Sequence, residues 1–113
     1  MDWLIISSGH FDKKVHKYQI PEKRIAAICQ ELKENQYSGK PLGYSFLREK
    51  RYEDKRLYYL VYENIRVVLL VSISDKKTQQ ETIDAIKESF DAFENITTEL
   101  ARKIRTTSTK LSE

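Results

Sequence analysis

Cationic side chains crowd one short stretch of this chain. Residues 48–56, Arg48-Glu49-Lys50-Arg51-Tyr52-Glu53-Asp54-Lys55-Arg56, hold five basic and three acidic side chains. A second basic pair, Lys76-Lys77, follows an apolar run, and Tyr52, Tyr58 and Tyr59 are interleaved with these cations. Cations that converge can hold phosphates, and tyrosine rings offer faces on which bases stack. The same residues would also serve as a solvated charged edge, since strand-edge lysines discourage aggregation. Spacing alone leaves both readings open.

Other chemistries have little support. His10 and His16 are six apart, which puts them on different faces of a helix, and Cys29 sits inside an apolar stripe. That pattern suits no zinc site, and the thiol reads as a core residue rather than a nucleophile. Ser38-Gly39-Lys40 is too short for a phosphate-binding loop. The carboxylates are scattered, with no converging pair for glycosidase or magnesium chemistry. No metal or other cofactor is expected.

The basic residues must be positioned by a sheet. Trp3-Leu4-Ile5-Ile6 reads as a buried first strand ended by Ser7-Ser8-Gly9. Phe11, Val15 and Tyr18 mark a short amphipathic helix that Pro21 interrupts, and Ile25, Ile28, Cys29 and Leu32 mark a second. Residues 38–43 read as a loop. From Tyr44 the period becomes two, with Tyr44, Phe46, Arg48 and Lys50 on one face of a strand. Strands 56–62 and 65–73 complete an antiparallel meander, which brings Lys76-Lys77 back towards Arg56. A capping-box pattern at Thr78–Glu81 opens a last helix with the stripe Ile83, Ile86, Phe90 and Phe93, interrupted at Thr97-Thr98. The expected fold class is α+β, in the order β-α-α-β-β-β-α. An N-terminal strand and a helical hairpin pack on a mainly antiparallel four-stranded sheet, and a helix closes the chain. Residues 1–105 form the domain, and 106–113, rich in Ser and Thr, form a flexible tail.

The bulk numbers agree. The 113 residues suit one domain; 40% are hydrophobic and 33% charged, with a net charge of +3. One cysteine precludes an intrachain disulfide, and no apolar run approaches membrane length. A cytoplasmic protein with no membrane contact is expected.

Four stretches resemble the RelE/ParE toxin superfamily: His10-Phe11-Asp12-Lys13-Lys14, Gly39-Lys40-Pro41-Leu42-Gly43, Arg56-Leu57-Tyr58-Tyr59-Leu60-Val61-Tyr62, and the run from Val68 through Lys76-Lys77. Together they span roughly residues 3–95. The resemblance implies a toxin of a toxin-antitoxin system that cuts mRNA at the ribosome without metal, leaving 2′,3′-cyclic phosphate ends. It implies a RelB-like antitoxin as partner and allows an oligomer with it, the antitoxin lying across an open face of the sheet. By this resemblance Arg56 and Lys77 are catalytic, with Lys50; Arg48, Arg51, Tyr58 and Lys76 bind RNA. Where RelE-type enzymes often carry a tyrosine, this chain has Glu81, Thr82 and Ile83. General acid and base roles then fall to Lys50, Lys77 or Tyr58. A ParE-like gyrase inhibitor, or a non-catalytic relative acting as a binding module, is the alternative.

Overall fold

A computed structural model describes residues 2–112, with side chains through residue 107. In chain order the elements are β1 (Leu4–Ser7), α1 (Gly9–Lys17), α2 (Glu22–Glu34), β2 (Lys40–Tyr44), β3 (Leu47–Tyr52), β4 (Lys55–Tyr62), β5 (Val67–Ser74), α3 (Gln79–Glu88) and α4 (Phe90–Ser112). The sheet has five strands, ordered β1-β5-β4-β3-β2. β1 runs parallel to β5; the other pairs are antiparallel.

The extra strand is β2, taken from the sequence as a loop. Pro41 donates no ladder hydrogen bond, but β2 is an edge strand, where proline is tolerated. Gly43 has φ +91°, and the register shifts between Pro41 and Tyr44. Tyr44 and Phe46 therefore do not share a strand with Arg48 and Lys50, because the chain turns between Tyr44 and Leu47. Gly39 is buried, and its N–H donates to the Tyr59 hydroxyl at 2.9 Å. A Cβ there would lie 2.5 Å from the Glu49 carbonyl oxygen and 2.7 Å from the Tyr59 hydroxyl.

Local chemistry sets the helix ends. Ser8 caps α1, accepting from the Phe11 N–H at 3.0 Å while its hydroxyl donates to the Val71 carbonyl at 2.8 Å. Thr78 is the N-cap of α3 but makes no side-chain capping bond. Its N–H and hydroxyl both donate to Asp75 Oδ1 at 2.9 Å, so the capping-box reading fails there. The long C-terminal stripe breaks at Ser89, whose N–H donates to the Ile86 carbonyl, and not at Thr97-Thr98. Thr97 is buried within α4. The tail expected at 106–113 overlaps the end of α4; the side chains of 108–113 lie outside the described residues.

Both faces of the sheet are covered. On one, Phe11 of α1, Ile20 of the α1–α2 connection, and Ile28 and Leu32 of α2 meet Leu57, Tyr59, Val61, Val68, Leu70 and Ile73. On the other, Ile83 and Ile86 meet Leu47, Tyr58, Leu60, Leu69 and Val71, with Phe90 and Phe93 packed alongside. Of the expected core, Ile28, Leu32, Ile83 and Ile86 are buried, and Ile25, Phe90 and Phe93 are partly buried. The open sheet face expected for a partner is occupied by α3 and α4.

Gly39→Ala should therefore destabilise the domain by about 1–3 kcal/mol through forced displacement of β3, which a urea titration will measure. Burial pushes the Tyr62 phenol, which sits against α4, up to about 12. Because the folded chain holds this proton more tightly than the unfolded chain, its contribution to stability is fully present below pH ~10 and is lost as pH rises from there through the folded value of about 12. Tyr62→Phe should flatten the alkaline decline in stability, measured by denaturant titrations across that window.

Candidate nucleic-acid interface

Strand parity sorts the basic residues onto two faces. Arg51 pairs with Arg56, Glu49 with Tyr58, Arg56 with Ser74, and Tyr58 with Ser72. These residues share the α3 side of the sheet, to which Tyr58 belongs. Between Tyr58 and Tyr59 the register shifts, so Val71 is an extra residue on β5. This bulge turns Ser72 to the α3 side with Val71 and keeps Ser74 beside Tyr58.

The result is a polar cluster under the second helical layer. The Tyr58 and Ser74 hydroxyls lie 2.7 Å apart. Arg56 Nε stands 3.8 Å from Glu49 Oε2, with the two side chains only 12% and 5% exposed. Neither of those atoms has a hydrogen-bond partner among the described residues. Burial raises the Tyr58 phenol above its ordinary range, although the Ser74 hydroxyl opposes the shift; Glu49 adds to it and Arg56 counters it. Tyr58 therefore stays protonated at neutral pH, beside a carboxylate able to take a proton and a guanidinium able to hold an oxyanion.

Arg51 is exposed at the rim of this cluster, and Lys76 and Lys77 are exposed in the turn just after Ser74. Neither lysine is in an ion pair among the described residues. Arg56, Arg51, Lys76 and Lys77 thus come to one end of the sheet. Arg48 and Lys50 do not join them. Arg48 donates from Nε to the Gly39 carbonyl and from its terminal nitrogen to the Ser45 carbonyl, both at 2.9 Å, and lies 5.3 Å from the Tyr37 ring centre. That geometry clamps the β2–β3 hairpin. Lys50 pairs with Glu31 of α2 at 2.5 Å. Tyr58 is fully buried, so it offers no ring face to solvent.

Glu49, Ser72 and Ser74 join this cluster without any motif that marks them in the sequence. The signal for Glu49 was its parity: it alternates with Arg48 and Lys50 and shares a face with Arg51. Cys29 is half-buried, and burial pushes its thiol up, as befits a packing residue. Among the described residues no three His, Cys, Asp or Glu side chains converge as a metal site, and no helix is long and apolar enough to cross a membrane.

This arrangement of five strands and four helices is the fold of the RelE-like toxins. A free arginine-to-alanine double mutant of the Escherichia coli toxin RelE superposes with a TM-score of 0.62 at 17% identity, covering 78% of this chain and 98% of that one. The RelBE2 toxin-antitoxin complex of Mycobacterium tuberculosis gives 0.52 at 18%, covering 67% and 100%. The E. coli DinJ-YafQ complex gives 0.54 at 16%, covering 69% and 97%. At such identities the likeness is one of fold. No family model matches the sequence, and no curated protein matches it either.

Removing one partner of the buried pair should expose its electrostatics. Arg56→Ala leaves Glu49 unpaired, and should cost about 1–3 kcal/mol. Combined with Glu49→Gln the loss should be partly relieved, with a coupling of at least ~0.5 kcal/mol in a double-mutant cycle by urea unfolding.

Proposed function

We propose that this chain is the toxin of a toxin-antitoxin pair and acts in the cytoplasm as a metal-independent endoribonuclease on ribosome-bound mRNA, with a RelB-like antitoxin as its partner. The observation that carries this reading is the convergence of Arg56, Glu49, Tyr58 and Ser74 beneath a rim of Arg51, Lys76 and Lys77. The RelE-like fold supports it.

In this mechanism Arg51, Lys76 and Lys77 grip phosphates flanking the cut, and Arg56 faces the scissile one. Glu49 takes the proton of the ribose 2′-hydroxyl as its oxygen bonds to phosphorus. The bond from phosphorus to the 5′-oxygen breaks, and that oxygen receives a proton from Tyr58 or Lys77. The products are a 2′,3′-cyclic phosphate and a 5′-hydroxyl. Lys50 and Arg48 act through the fold, given their contacts with Glu31 and with the β2–β3 hairpin. Because Glu49 and Tyr58 are buried, the RNA reaches them only when the α3–α4 layer yields.

That burial favours a second reading. Glu49 neutralises Arg56 with the layer closed, which suits a binding module or a ParE-like gyrase inhibitor. Cleavage on programmed ribosomes separates the two. The nuclease reading expects cuts that persist in EDTA wherever ribosomes stay intact, and that end in cyclic phosphate. Arg56→Gln should slow cleavage by about 10²–10³-fold, the loss seen when one oxyanion donor is removed. Lys76→Ala with Lys77→Ala should weaken binding in a salt-sensitive way. Full activity of Arg56→Gln, or no cleavage by the wild type, overturns the nuclease reading.

A further inference from the structure

The apolar arc of α4 is wider than the surface the rest of the chain covers. Thr97 and Ala101 are buried towards the sheet, yet Ile96, Leu100 and Ile104 are 55%, 36% and 39% exposed. Spaced four apart, they form a continuous stripe along one side of the helix. Arg105 donates to the carbonyls of Ile65 and Arg66, which anchors the second half of α4 to the β4–β5 turn and leaves the stripe facing outward.

The charges of α4 divide at the middle of that stripe. Asp91, Glu94 and Glu99 precede Leu100, with no basic residue among them from 90 to 99; Arg102, Lys103 and Arg105 follow it, with no acidic residue from 100 to 112. Compensation of the helix macrodipole accounts for charges in the end turns, where it acts, but not for a boundary at the helix centre.

We propose that this stripe pairs, antiparallel, with the same stripe of a second copy of the chain, about a two-fold axis beside Leu100. Leu100 then packs on its counterpart, and Ile96 packs on Ile104 of the other copy. Glu99 and Lys103, one turn apart on the same flank of the stripe, face each other across the axis, twice by symmetry. A parallel pairing would set acidic half on acidic half, so charge selects the antiparallel one. Glu99 and Arg102 form a pair within the helix, but both are more than half exposed, and such a pair holds its members weakly.

Sedimentation of the full chain at micromolar concentrations tests this. The wild type is expected to be a dimer. Glu99→Lys and Lys103→Glu, each placing like charges across the axis twice, should each weaken it about tenfold. An equimolar mixture of the two variants should restore the dimer, because every cross-axis pair is again opposite in charge; no contact within one helix has that effect. Leu100→Lys should be monomeric with an unchanged circular dichroism spectrum. A monomeric wild type, wild-type association by both single charge variants, or failure of the mixture to associate overturns the proposal. So does a stripe occupied only by a different protein.

Discussion

Strand β5 is the constraint on which the architecture rests. It lies between β1 and β4, and all eight of its residues are buried. A strand buried on both faces needs a helical layer on each side, since either face left bare would put a run of Val, Leu and Ile into water. The two layers are built from opposite ends of the chain, α1–α2 from the N-terminal third and α3–α4 from the C-terminal third. The bulge at Val71 ties them together: its carbonyl accepts from Ser8, the residue that caps α1, while its side chain packs against α3.

The same geometry sets the electrostatics. A basic run read along the chain looks like one patch, but a β-strand sends alternate residues to opposite faces, so the run separates into two sets with different work. Arg48 and Lys50 hold the β2–β3 hairpin and α2 in place. Arg51 and Arg56 lie on the other face with Glu49, and there the burial of Glu49 with Arg56 concentrates opposite charges where water cannot screen them. Lys76 and Lys77, beyond the end of β5, and Arg51, exposed near the end of β3, are in no ion pair among the described residues.

Much of the fold was legible because its periods are strong. The apolar runs of β1 and β5, the strand at 56–62 and the Ile25–Leu32 stripe each produced the element they suggested. β2 was missed because Pro41 and Gly43 carry the composition of a loop, and only its place at the sheet edge makes them compatible with pairing. The break in the C-terminal stripe was misplaced because Thr97 is a poor helix former by propensity, while its burial on the inner side of α4 overrides that preference. Of the candidate site, Arg51, Arg56, Lys76 and Lys77 were legible as cations brought to one end of a sheet. Glu49 was not, since one of three carboxylates in a basic run reads as solvated charge until its strand partner and its depth are known.

The parallel pairing of β1 with β5 has a further consequence for how the molecule comes into being. Ser8 and Val71 are 63 residues apart in the chain yet hydrogen-bonded. Closing so long a loop is entropically costly and is deferred until local structure has formed. During synthesis α1 and α2 can form early, but β1 stays without its only strand neighbour until β5 has emerged. The polar cluster of β3, β4 and β5 is completed at the same moment, because Ser74 is the last residue of that strand. A nascent or prematurely released chain therefore carries the cations without the assembled site.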